Sequence, residues 1–305
     1  MTKEIINKDD LAMDSLIIYS KEEGILFNKT DDKKINVRSI AKLVTSLAFG
    51  VLIDKSNGDF NEDTLIFDFL RDRVDISNKK NINKLKNIMI KDCLTHTMGY
   101  RDIILMSKDI ENHQKDKLLD YALNYPLYFK PGVKFLYSNA GYYVLAAVME
   151  EYLDSNLYDF INENIFDKLE IKNPRWDRYG KYLAGATKLY LNAEDLLKLG
   201  NLILNNGYYK DEMIVSPSFI EKMTQKIYKN DKDYRDESYL SDDFYGYSIW
   251  TGKDDIMYAS GSGGQYVIIL KKEGIIIVAT NVGSTDKVPV IKSQINEIIK
   301  KIKEV

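Results

Sequence analysis

The sequence predicts an α/β protein of the α+β type: one antiparallel sheet assembled from both ends of the chain and flanked by helices, with a mainly helical region inserted. Three observations predict it. Strand-like runs, "SLIIY" near the start and "GIIIVA" near the end, bracket a long middle that holds most of the helical periodicity. Helices and strands do not alternate regularly, which argues against a parallel doubly wound sheet. The 305 residues show no repeat, low-complexity tract or Pro/Gly/Ser linker. The expected division is therefore a single unit over 1–305, with an α/β subdomain at 1–38 and 240–305 and a helical subdomain at 39–239.

Residues 15–28, "SLIIYSKEEGILFN", read as two short strands around "KEEG". Ile40, Leu43, Val44, Leu47, Ala48 and Val51 follow helical spacing, so 39–53 is expected to be a buried helix ending before a turn at Gly58. A helix over 84–96 breaks at "HTMGY", and another over 115–124 stops before Pro126. "KPG" at 130–132 is a turn, and 139–153 forms an apolar helix. Residues 193–206 form an amphipathic helix closed by Gly207. In 216–226, Ser216 is expected to cap a helix whose first position is Pro217. Beyond 244, "YGYSIWTG", "DIMYASGSGGQYVIILK" and "EGIIIVATNVG" read as three antiparallel strands, turning at 252–255 and 272–274. A lysine-rich amphipathic helix, 286–303, follows. The polar stretch 227–243 reads as solvated surface, with a mobile loop at the cleft rim as the alternative.

Composition removes several classes of function. The 43 basic and 46 acidic residues are interspersed, giving a formal charge of −3 with no basic block for nucleic acid or lipid. No apolar run is long enough to span a bilayer. The opening "MTKEIINKDDLAMD" lacks the apolar core of a secretion signal, so the chain reads as cytoplasmic unless a leader has been removed. Cys93 is the only cysteine, and His96 and His113 are the only histidines, so no internal disulfide, metal site or cofactor is expected. The partner expected is a small molecule.

Three segments carry candidate chemistry. Ser39 and Lys42 lie three apart and share a helix face. A serine hydroxyl becomes nucleophilic when a base takes its proton, and a lysine serves if burial lowers its pKa. The same spacing also fits a helix-capping serine with a lysine snorkelling to water, and Ser77/Lys80 and Ser284/Lys287 share the pattern. In "FLYSNAGYYVL" (135–145), Tyr137 and Asn139 flank Ser138 and point the same way if extended. A phenol beside an ammonium could be drawn toward phenolate and act as base, and an asparagine could bridge the lysine and a substrate carbonyl. Tyr190/Asn192 and Tyr228/Asn230 repeat the spacing, but only Tyr137 stands between a "KPG" turn and a new helix. In "YASGSGGQYVII" (258–269), Ser260, Gly261, Ser262 and Gly263 open a strand whose small residues let a ligand approach the backbone. A bulge of small residues is the competing arrangement there.

Taken in order, these segments resemble the penicillin-recognising serine hydrolases: class C β-lactamases, D-alanyl-D-alanine peptidases and β-lactamase-like esterases and amidases. The likeness covers most of the chain. "CLTHTMGY" (93–100) is similar to the family's "LLTHTSGL", and "FKPGVKFLYSNAGYYVLAAVMEE" (129–151) to its "PG-x-F-x-YSN-x-GY" helix entrance. "NPRW", "NAEDLLKLGNLILNNG" and "YGYSIW" also fall where related sequences carry comparable text.

The resemblance implies a β-lactamase/transpeptidase-like fold, with Ser39 as acylated nucleophile and Lys42 and Tyr137 sharing the base role. It implies that Asn139 positions substrate, and that oxyanion N–H groups come from Ser39 and from the strand near Ser262. It makes His96 structural. The sequence departs from the family at the third motif, where no Lys or His lies between 254 and 270. That favours an ester or amide hydrolase. The alternatives are a β-lactamase or D-Ala-D-Ala carboxypeptidase, and a catalytically weak penicillin-binding or sensing protein. A Ser-His-Asp hydrolase lacks its Gly-x-Ser-x-Gly elbow here.

Overall fold

The two N-terminal runs fold as a hairpin, β1 (Ser15–Ser20) and β2 (Gly24–Lys29), closed by Gly24 at φ +81°. The computed structural model describes residues 8–231, 236–283 and 285–304. Residues 1–7 of the opening segment, part of the polar 227–243 stretch, and Ser284 of one Ser/Lys pair lie outside the described residues.

Six strands from the C-terminal part join the hairpin: β3 (Tyr228–Lys229), β4 (Phe244–Tyr245), β5 (Trp250–Thr251), β6 (Met257–Gly261), β7 (Gln265–Leu270) and β8 (Ile275–Thr280). The eight-stranded order is β3-β4-β5-β6-β7-β8-β1-β2, antiparallel throughout. Both chain ends meet where β1 pairs with β8, from Ser15 opposite Thr280 to Ser20 opposite Ile275.

The longest helices among the described residues are α1 (Ala41–Lys55), α2 (Ala140–Leu153), α3 (Ala193–Leu204) and α4 (Val288–Lys303). Side chains alternate across the sheet as a two-residue period requires. Ile17, Val267, Ile269, Ile276 and Val278 join a core shared with α1, α2 and α3. Leu16, Ile18, Ile268 and Ile277 face the opposite way, onto Ile291, Ile295, Ile298 and Ile299 of α4. Gly200 lets α3 lie close on the sheet: a Cβ there would stand 2.9 Å from Ile276 and 3.1 Å from Val267.

Four expectations are corrected. The single strand expected over "YGYSIWTG" is instead β4 and β5, which pair Tyr245 with Trp250 across a turn closed by Gly246 N–H to Ile249 O. The single strand expected around 255–271 is two strands, β6 and β7, joined by a tight turn. Gly263 and Gly264 adopt φ +97° and +93°, a region open chiefly to glycine, and they reverse the chain. The helix expected over 84–96 is two single turns, Ile82–Leu85 and Ile90–Leu94. Between them the backbone is extended against 64–66, with Ile66 N–H bonded to Ile88 O and Ile90 N–H to Thr64 O. Ser216 precedes the helix Pro217–Met223, but its side chain makes no capping bond.

Candidate active site

A small sheet sets the nucleophile candidate in place. Ile35–Asn36 pairs with Leu189–Leu191, which also pairs with Arg175–Trp176. Val37 N–H continues the ladder by donating to Leu189 O at 2.9 Å. The chain then turns sharply: Arg38 takes φ +54°, and its N–H donates to Asn36 Oδ1 at 3.0 Å. Ser39 lies in the following 3-10 turn, Arg38–Ile40, which leads into α1. Ile40, not Ser39, occupies the capping position of α1.

Lys42 does not snorkel. It is 1% exposed, because α1 is buried without a break from Ala41 to Leu52. Its Nζ donates to Ser39 Oγ at 3.1 Å, to Asn139 Oδ1 at 2.8 Å and to the Ala186 carbonyl at 3.2 Å. Burial lowers its pKa to about 7, since the charged form has lost its water. Asn139, at the start of α2, is tied on its other side by donating from Nδ2 to the Leu105 carbonyl at 2.9 Å.

Tyr137 is half-buried, stacked on Trp250 with ring centres 5.6 Å apart, and Lys42 Nζ lies 4.9 Å from its ring centre. The expected drift toward phenolate is not found. Burial pushes the Tyr137 pKa up to about 12, and a hydrogen bond with Ser39 only partly offsets this. His96 stands behind this group, 4.5 Å from the Tyr137 ring, with Nε2 3.1 Å from Tyr245 Oη. Burial and then the Lys42 charge hold its pKa well below the usual range, so the imidazole stays neutral.

The end of β6 presses on the turn that carries Ser39. A Cβ on Gly261 would stand 2.4 Å from the Val37 carbonyl oxygen and 3.1 Å from Arg38 Cβ. Ser262 follows in the β6–β7 turn. A small cleft opens here, and Ser39, Asn139 and Ser262 line it. Lys42 and Tyr137 are not lining residues, and neither are Ser260, Gly261 and Gly263, so the third segment reaches the cleft through Ser262 alone. Met106, Ser107 and Ile110 also line the cleft, as do Arg38, Lys188 and Tyr179. Sequence reasoning missed these last three. Arg38 had one available cue, its place directly before Ser39. Lys188 and Tyr179 are isolated residues of abundant types.

Among the described residues there is no group of His, Cys, Asp and Glu able to hold a metal, and no helix long and apolar enough to cross a membrane.

A family model described as beta-lactamase matches residues 20–292. Solved structures share the fold at low identity. A candidate beta-lactamase from Bacteroides dorei DSM 17855 is 19% identical with a TM-score of 0.75, covering 96% of this chain and 95% of that one. An octameric penicillin-binding protein homologue from Pyrococcus abyssi is 17% identical with a TM-score of 0.74, covering 95% and 74%. A D-amino acid amidase from Ochrobactrum anthropi SV3 is 14% identical with a TM-score of 0.69, covering 95% and 93%.

Proposed function

The chain belongs to the beta-lactamase family, and on that premise we propose that it is a serine hydrolase that opens an ester or amide bond of a small substrate through an acyl-enzyme at Ser39. The observation that carries this reading is a buried lysine amine, with a pKa near 7, placed 3.1 Å from Ser39 Oγ. A base with that pKa is half unprotonated at neutral pH, which suits proton transfer under physiological conditions.

In this reading Ser39 Oγ attacks the substrate carbonyl carbon as Lys42 takes the hydroxyl proton. The carbonyl oxygen becomes an oxyanion, received by the Ser39 N–H and by N–H groups of the turn near Ser262. When the tetrahedral species collapses, the bond to the leaving oxygen or nitrogen breaks. The Lys42 proton passes to that atom, with the Tyr137 hydroxyl as relay. Water then attacks the acyl-enzyme by the same route in reverse, returning the proton to Ser39. With a pKa near 12, Tyr137 works as a neutral donor rather than as a phenolate base. Asn139, held at both ends of its amide, orients Lys42.

An esterase or amidase is favoured over a β-lactamase or D-Ala-D-Ala carboxypeptidase because β6 and its following turn hold no lysine or histidine. The experiment is a fluorophosphonate probe read by intact mass, alongside turnover of a short-chain p-nitrophenyl ester and a chromogenic β-lactam. Labelling and ester turnover that both vanish in Ser39→Ala are expected. Labelling absent from the unaltered protein would overturn the reading in favour of a non-catalytic binding or sensing protein.

A further inference from the structure

A second depression lies where the end of α3 meets the end of β1 and a small hairpin. α3 closes on Gly207, whose N–H returns to the Leu202 carbonyl at 2.8 Å, and the chain runs straight into the hairpin, Tyr208–Tyr209 paired with Glu212–Met213. A Cβ on Gly207 would stand 2.0 Å from the Val215 carbonyl oxygen, so the chain leaving the hairpin lies tight against the helix end. Asn201 and Asn205, which ends α3, are four residues apart and share one face of it. Tyr19 on β1 and Tyr209 on the hairpin both pack against the core. These four, with Asn206 and Tyr208, line the depression, and it shares no lining residue with the cleft beside Ser39.

Three tyrosines and three asparagines make up most of this lining, and its charges cancel. Lys210 is engaged by Glu170 at 2.5 Å, while Lys21 and Asp211 are exposed and opposite in sign. No net charge remains to recruit a phosphate or a carboxylate. Hydrogen-bonding capacity does remain. The Asn201 amide and the Tyr19, Tyr208 and Tyr209 hydroxyls bond to no other described residue. Asn205 uses only Nδ2, donating to the Asn201 carbonyl at 3.0 Å, so its Oδ1 is open. Asn206 Oδ1 accepts from Lys271 Nζ at 3.0 Å, so its Nδ2 is open. Tyr208 is 40% exposed and presents an aromatic ring to solvent.

We propose that this depression binds a neutral saccharide, with a pyranose ring against Tyr208 and its hydroxyls bonded to Asn201, Asn205 and Asn206. A sugar presents an apolar face of C–H groups and a rim of hydroxyls, each of them both donor and acceptor. A tyrosine ring matches the face. An amide sets an acceptor beside two donors, which matches adjacent hydroxyls on the rim. The Asn205 and Asn206 amides are already held, by the Asn201 carbonyl and by Lys271, so little order has to be imposed when a ligand arrives. Such a site takes no part in the chemistry at Ser39; it holds the protein on a carbohydrate, and it stands whether or not Ser39 is acylated.

Saturation-transfer NMR and calorimetry with cellotetraose, maltotetraose and chitotetraose test the site. At least one of the three should bind with a Kd of about 1 mM or tighter, with saturation reaching its ring C–H protons. Tyr208→Ala and Asn201→Ala should each weaken that binding about tenfold while cooperative melting stays unchanged, since both side chains are at least partly exposed. Added salt should leave the affinity unaltered, because no ion pair is made. Ser39→Ala should bind as the unaltered protein does. Binding by none of the three glycans, or binding that both lining substitutions leave intact, would overturn the proposal. Fluorophosphonate labelling of the same samples reports separately on Ser39.

Discussion

Asn139 is held from both sides: its Oδ1 accepts from Lys42 Nζ at 2.8 Å, while its Nδ2 donates to the Leu105 carbonyl at 2.9 Å. A neutral acceptor leaves the lysine free to shed its proton, whereas a carboxylate in the same place would hold it. Asn139→Asp should raise the Lys42 pKa by at least about one unit, and shift the acidic limb of kcat/KM to higher pH by the same amount. A pH–rate profile for the variant checks this, and an unshifted limb would remove Asn139 from the tuning of Lys42.

The unaltered protein should show kcat/KM rising with pH through a midpoint near 7, the pKa to which burial brings Lys42. His96 does not compete for that assignment, because its imidazole is already neutral there.

The same lysine affects stability. Its folded pKa lies below its unfolded value of 10.5, so between about pH 7 and 10.5 the unfolded chain binds more protons and stability rises with pH. Relative to Lys42→Met, the unaltered protein should gain about 2 kcal/mol between pH 7 and pH 9. Urea unfolding of both at the two pH values measures the difference, and parallel curves would refute the lowered pKa.

Tyr137→Phe and Lys42→Ala should separate the two roles. Removing the base should cost at least about 100-fold in acylation at neutral pH. Removing a neutral donor should cost less with a p-nitrophenyl ester, whose leaving group needs little protonation, than with an amide. Single-turnover rates on matched ester and amide substrates provide the comparison, and equal losses on both would argue against the relay.

Gly261→Ala puts a methyl group 2.4 Å from the Val37 carbonyl oxygen, too close for either backbone to keep its place. The strands must separate, costing about 1–3 kcal/mol. The displaced Ser39 turn should lose roughly 100-fold in rate. Thermal melting and kcat read the two effects independently.

Much of the architecture was legible because its signals are local. Short apolar runs between turn residues marked β1, β2 and β8, and helical spacing marked α1 and α3. The features missed depend on contacts remote in sequence. "ASGSGGQ" looks like the mouth of one strand, and only the left-handed glycines and the β6–β7 pairing reveal a reversal. The break at Met89 follows from pairing with 64–66, which no window along 84–96 contains. In the site, spacing placed Ser39 and Lys42 on one face. It could not foresee that α1 would be covered on all sides, which is what lowers the lysine pKa. Arg38, Lys188 and Tyr179 come together only through the small sheet.

That covering of α1 ties the reactive centre to the integrity of the whole molecule. Lys42 sits within an uninterrupted buried run, so water cannot reach it through fraying at one edge; helices and sheet would have to part first. Serine labelling and cooperative unfolding should therefore disappear at one denaturant concentration, and the molecule should have no softened, half-working form on the way.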